Sequence, residues 1–181
     1  MELKIIGQGK IVKRLNTWLS EDYLPNILLR GRPGSGKPAI ALAFAELAKK
    51  KTQYVMCLKG LEVEVEKDVD ILILDEVHNL ENEERFYNVS SGLICCTTEG
   101  AQISDPFRSR MIQLWVAPYN DTELAKIGRM HSEIFPMTAF LIAYRSKGNP
   151  RTVVKLCNEI SQVFRNRRQT SEAIIEYLEF I

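Results

Sequence analysis

The chain has 181 residues, 45% of them hydrophobic and 26% charged, which suits one globular domain or a domain with a small appendage. A formal net charge of +1 excludes a global electrostatic pull toward nucleic acid or an acidic membrane, leaving only local patches. Four cysteines without a C-x-x-C pair, and only two histidines, argue against zinc and for buried free thiols, a reducing compartment and a cytoplasmic protein.

The first residues, "MELKIIGQGK", lack an apolar signal core, and no run approaches membrane-spanning length, so no membrane association is expected. Residues 8–19 place Ile11, Leu15, Trp18 and Leu19 on one helical stripe. "NILLR" (26–30) reads as a short buried strand running into a glycine loop. "AIALAFAELAKK" (39–50) predicts a helix, with lysines at the end that the dipole favours. "YVMCL" (54–58) is a second strand, and "LEVEVE" (61–66) is an edge strand or a linker. "DILILDEV" (70–77) is a continuous apolar run ending in two carboxylates, the pattern of a strand buried on both faces of a parallel sheet. "GLICCTT" (92–98) and "MIQLWV" (111–116) complete five strands, and Cys95 and Cys96 should face opposite ways. Strands alternating with helices predict an α/β three-layer sheet.

Beyond Pro118 the pattern becomes helical. "DTELAKIGRMHSEI" opens with an Asp cap at 121, and "PMTAFLIAYRSKG" ends with Lys147 and a stop at Gly148. "NPRTVVKLCNEISQVF" has Asn149 as N-cap and Pro150 at the first helical position, and "SEAIIEYLEFI" closes the chain. Four helices with short connections suggest a small bundle. The boundary falls near residues 117–120, giving an α/β domain over 1–118 and a helical domain over 119–181.

"GRPGSGKPAI" (31–40) carries the G-x-x-x-x-G-K spacing at Gly31, Gly36 and Lys37. Such a loop points successive backbone N–H groups into one concavity at a helix N-terminus, and the lysine adds a point charge for phosphates. The alternative is a plain glycine turn before a helix. Asp75 and Glu76 end a strand, where one carboxylate can hold Mg²⁺ through water and the next can activate a water. The alternative for that pair is an acidic helix cap. His78 reads as a helix-start residue. Arg165, Arg167 and Arg168 read as a solvated basic face, with DNA contact as the minority reading.

"GRPGSGK", "ILILDEVHNL", "ICCTTEGAQISDPFRSRM" and "IAYRSKGNPRTVVKLCNEI" occur in the order seen in AAA+ ATPases. Taken with "IIGQGKIVKRL", they most resemble the Holliday-junction branch-migration motors of the RuvB type, with clamp loaders and helicase loaders as cousins. The resemblance implies a P-loop NTPase fold: a five-stranded parallel sheet in the order 5-1-4-3-2, followed by a helical lid. It implies ATP or ADP as ligand, Mg²⁺ as cofactor and a ring or helical oligomer, a hexamer among the options. It places Ile6 and Gly7 against the adenine, and Pro33, Gly34, Ser35, Gly36, Lys37, Pro38 and Ala39 around the phosphates. Asp75 becomes the metal-associated acid, and Glu76 the activator of water. Thr97 or Thr98 becomes the polar sensor, Arg110 (with Arg108 as second choice) an arginine finger acting in a neighbouring subunit, and Arg151 the lid sensor.

The chain departs from that pattern in three ways. Pro38 stands where a Ser or Thr hydroxyl ligates Mg²⁺, and it also lacks an N–H. The segments between the first long helix and Asp70, and between Glu76 and the fourth strand, are shorter than is usual in the family. The resemblance ends at the last helix and does not include the family's winged-helix DNA-binding domain. The expected function is an AAA+ ATP-binding module in DNA replication or recombination that remodels or loads a DNA-bound partner such as a helicase. Two rivals stand beside it: a branch-migration ATPase with a separate DNA-binding partner, and a hydrolysis-silent scaffold subunit of a hetero-oligomer. Nucleotide binding that persists with weakened Mg²⁺ binding is the expected effect of Pro38.

Overall fold

The structure is a computed structural model describing residues 2–98, 103–165 and 171–180. Five strands form one all-parallel sheet in the order β2-β3-β4-β1-β5, which is 5-1-4-3-2 read from the other edge. The strands are β1 (Ile27–Arg30), β2 (Thr52–Met56), β3 (Ile71–Asp75), β4 (Gly92–Thr97) and β5 (Ile112–Trp115). The helices are α1 (Gly9–Ser20), α2 (Lys37–Ala48), α3 (Asp105–Ser109), α4 (Asp121–His131), α5 (Pro136–Arg145), α6 (Pro150–Val163) and α7 (Ser171–Phe180).

The central strands are apolar on both faces because both faces are covered. Ile27, Leu29, Ile71, Ile73, Ile94 and Cys96 point into a core shared with Ile11, Leu15 and Trp18 of α1 and Ile40, Ala41 and Phe44 of α2. Leu28, Leu72, Leu74, Leu93 and Cys95 point the other way, against Val77, Phe86 and Phe107. Cys95 and Cys96 therefore lie in opposite cores, as strand alternation requires. β2 lies at one edge, with alternate residues exposed.

The chain divides into two compact units, one of residues 1–32 and 36–116, the other of 33–35 and 117–181. The second unit packs α4–α7 around Leu124, Ala139, Ile142, Val153, Cys157, Ile160 and Ile174.

Several local expectations are corrected. For residues 61–66 the linker reading holds and the edge-strand reading does not, and Gln53 ties the segment down by bonding the Glu64 carbonyl and the Glu66 N–H. β2 begins and ends two residues earlier than its apolar run, because it pairs residue for residue with Ile71–Asp75. The α4 cap is Asn120, not Asp121: its Oδ1 accepts from the Glu123 N–H at 2.9 Å, and the Glu123 carboxylate accepts from the Asn120 N–H at 3.0 Å. α5 ends at Arg145, ahead of Lys147 and Gly148, which both take left-handed backbone at φ 51 and 86. α2 begins at Lys37 and ends at Ala48. Asn149 does cap α6, accepting from the Arg151 and Thr152 N–H groups. Among the described residues no helix is long and apolar enough to cross a membrane.

Candidate nucleotide-binding site

The crossover leaving β1 runs toward β2, and the one leaving β4 runs toward β5, on the other side of β1. Adjacent strands that feed crossovers in opposite directions open a ligand crevice at their carboxyl ends. Three candidate segments leave the sheet along that edge: the loop after Arg30, the end of β4 at Thr97, and the end of β3 at Asp75. Arg30 pairs with Thr97, so the glycine loop starts beside the end of β4 and one further strand from the acidic pair.

The loop turns on Gly34 and Gly36, at φ 75 and 85, a region that costs a residue with a Cβ. Gly36 is the N-cap of α2 and has no side chain with which to cap it. Lys37 opens the helix with its side chain turned back into the loop, where Nζ donates to the Gly31 and Arg32 carbonyls at 3.0 and 3.1 Å. It is 3% exposed, so its charge lies in a largely dry place. Pro38 occupies the first turn of α2, which tolerates its missing N–H, and Ala39 follows it. In the second unit, Ser35 is 4% exposed and its hydroxyl has no hydrogen-bond partner. An orphaned buried hydroxyl in a glycine loop is a mark of a site built for a polar ligand. In that same unit the Asn149 side chain lies against Gly34, where an added Cβ would come within 2.4 Å of its Oδ1.

Asp75 ends β3 and is 5% exposed. Its Oδ2 accepts from the Tyr54 hydroxyl at 2.8 Å and its Oδ1 from the Glu76 N–H at 2.9 Å. Glu76 takes left-handed backbone at φ 51, turning the chain off the strand into a 3₁₀ turn over Val77–Asn79. That strained conformation in a non-glycine residue is of a kind that concentrates at functional sites. His78, in the turn, brings Nδ1 to 3.1 Å from Thr97 Oγ1 and 3.5 Å from Glu76 Oε2. Thr97 is fully buried at the end of β4, and Thr98 lies beyond the strand.

The acidic pair shapes its neighbours. Burial, then the hydrogen bond to Asp75, pushes the Tyr54 phenol well above its ordinary range. Burial, then Asp75 and Glu76, pushes the Cys57 thiol up to about 11. Cys96 is raised by burial and by Asp75 while Lys37 pulls the other way, so the ammonium and the carboxylate act on one neighbourhood.

Ile6 and Gly7 precede α1, half-buried. Arg108 pairs with Asp105 within α3. Arg110 is exposed, lies 4.3 Å over the Tyr87 ring and donates to the Pro106 carbonyl, and Tyr87 stacks on buried Phe107. Arg151 is exposed in the first turn of α6, in the second unit. Arg165 is exposed at the end of α6, and Arg167 and Arg168 lie outside the described residues. Among the described residues no cluster of three or more His, Cys, Asp or Glu could hold a metal by itself. Sequence reasoning missed Tyr54, and it read His78 as a helix-start residue, which fits its place in the Val77–Asn79 turn but did not foresee its contacts with Thr97 and Glu76. The one available signal was their chain distance from Asp75, across a paired strand and along one turn.

No family model matches the chain. It is 28% identical to the "Holliday junction branch migration complex subunit RuvB" of Lacticaseibacillus casei, over 88% of this chain and 60% of the relative. It is 27% identical to the same-named protein of Pseudothermotoga lettingae, over 96% and 63%. The solved Thermotoga maritima RuvB, a "Holliday junction branch migration motor", superposes with a TM-score of 0.79 at 26% identity, covering 97% of this chain and 70% of that one. The chain is similar to the AAA+ core of RuvB proteins. The chain spans about 60% of the length of the curated relatives it matches. The first alignment runs over 207 positions yet takes up 88% of this 181-residue chain, so that relative carries segments absent between these elements.

Proposed function

We propose that the chain is the ATP-binding core of a RuvB-type AAA+ motor acting on DNA in recombination, as part of a branch-migration complex. The observation that carries this reading is the row of chemistry along one sheet edge. Lys37 is delivered by a glycine loop at the start of α2, with Thr97 on the next strand and Asp75–Glu76 on the one after. The likeness to RuvB proteins supports the branch-migration reading over a helicase loader.

In this reading Lys37 and the loop amides hold the polyphosphate, with Ser35 offering its buried hydroxyl. Glu76 accepts the proton of the attacking water, and Thr97 orients it. Magnesium entering with the nucleotide would neutralise phosphate charge, and Asp75 is the protein group assigned to its shell. One carboxylate plus substrate phosphates is an ordinary magnesium arrangement, and the residues fit it weakly because Pro38 supplies no hydroxyl. Arg151 supplies charge toward the γ-phosphate, and Arg110 acts in a neighbouring subunit of a ring. DNA and a DNA-bound recombination partner are the macromolecular contacts.

Nucleotide titration with and without Mg²⁺, and ATP turnover with and without a four-way DNA junction, test the proposal. Binding is expected in both titrations, and turnover is expected to be slow, stimulated by the junction and abolished by Glu76→Gln. Absence of binding in both would sink the reading. Pro38 also favours a second reading, a nucleotide-binding scaffold without hydrolysis. Turnover indistinguishable from that of Glu76→Gln selects it.

A further inference from the structure

His78 occupies a place that neither a solvated turn residue nor a plain helix start would need. Its side chain is 13% exposed, and one nitrogen, Nδ1, faces two oxygens: Thr97 Oγ1 at 3.1 Å and Glu76 Oε2 at 3.5 Å. The turn that carries it is pinned along its length. The Glu76 N–H bonds the Asp75 carboxylate, Val77 is fully buried, and Asn79 Nδ2 donates to the Cys57 carbonyl at 3.1 Å. The turn that carries the imidazole is thus held at the residues on either side of it.

Nδ1 stands between the Glu76 carboxylate, on a side chain 36% exposed, and the hydroxyl of fully buried Thr97. The imidazole therefore links the ends of β3 and β4, and its position sets the spacing of the two oxygens.

We propose that His78 is a positioning residue that holds the Glu76 carboxylate and the Thr97 hydroxyl in register, so that both meet the attacking water in one fixed geometry. This rests on the nucleotide-binding reading above and deepens it.

The test compares His78→Ala and His78→Asn in the full chain, alone and combined with Thr97→Val. Asparagine keeps a donor nitrogen at the Nδ1 position. His78→Ala is expected to lower turnover about ten-fold, as for loss of one hydrogen bond to a charged group, while ADP affinity stays within about two-fold. His78→Asn is expected to recover most of that loss. The double variant should be no worse than the weaker single variant, because residues that act as a unit do not lose function additively. If turnover is too slow to read, the same cycle is measured on the ratio of ATP to ADP affinity. Independent, multiplying losses would overturn the proposal, as would His78→Asn failing as badly as His78→Ala with ADP binding lost in both. Failure of the unmodified chain to bind any nucleotide would instead remove the phosphate-loop reading, and this proposal with it.

Discussion

At the scale of single residues, position 38 controls how far the loop can go. Proline at the second helical position leaves α2 intact, because the first N–H groups of a helix have no intrahelical partner. In the proposed nucleotide-binding reading it offers the phosphates no amide and the magnesium no hydroxyl. Pro38→Thr is expected to raise magnesium-dependent turnover about ten-fold to a hundred-fold, the worth of one charge-assisted contact, and to tighten nucleotide binding in EDTA as well, because the restored N–H acts without the metal. Steady-state ATPase assays and fluorescent-nucleotide titration check this. Gly34→Ala is expected to act in the opposite direction. The residue takes φ 75, and its new Cβ would meet the Asn149 side chain at 2.4 Å. Both the strain and the clash disfavour the native loop, so nucleotide affinity should fall and thermal stability with it, as read in one melting series with and without ADP.

At the scale of elements, α4 and α6 pack through a glycine. A Cβ on Gly128 would come within 2.5 Å of Cys157 Sγ and 3.0 Å of Val153 Cγ1. Helix propensity alone predicts that Gly128→Ala stabilises by about 1 kcal/mol. Overpacking a close contact costs about 1–3 kcal/mol, so the substitution is expected to destabilise. In a Cys157→Ala background the clash with sulfur is gone and the sign should reverse. Urea denaturation of the unmodified chain, the two single variants and the double variant separates the two effects, and a Gly128→Ala that stabilises the unmodified chain would contradict the packing. The elements themselves were largely legible. The 3.6-residue stripe of Ile11, Leu15 and Trp18 and the apolar runs of β3 and β4 each carry a period that burial imposes. The edges were not, since the end of β2 depends on its partner strand and the α4 cap on which side chain reaches Glu123.

At the scale of the whole molecule, buried thiols occur in every core: Cys96 in one, Cys57 and Cys95 in the second, Cys157 in the third. Burial raises Cys157 to about 12, and burial with the nearby carboxylates raises Cys57 to about 11, both from an ordinary 9.0. The folded chain therefore keeps protons that the unfolded chain releases, so stability is fully present below pH 9 and is lost as pH rises toward 11. The urea midpoint should hold steady from pH 7 to about pH 8.5 and then fall, less steeply in Cys57→Ser, and a thiol reagent should react only after unfolding. Assembly belongs to this scale too. If Arg110 serves a neighbouring subunit, light scattering should show nucleotide-dependent oligomers, and Arg110→Ala should lower turnover by about 10³-fold with nucleotide affinity retained. Doping with Glu76→Gln subunits that keep Arg110 should restore part of that activity.

The sequence by itself determined the fold class and the residue types of the candidate site. Glycine conformational freedom, apolar periodicity and the charge on Lys37 and Asp75 are properties of the residues and their spacing. The tertiary structure alone decided which groups meet. Tyr54 reaches Asp75 only because β2 pairs with β3, and His78 reaches Thr97 only because β4 lies beside β3 and Glu76 turns the chain at φ 51. Those contacts join residues 21 and 19 positions apart in the chain. Strand order and backbone sign set them, and neither is carried by any local pattern.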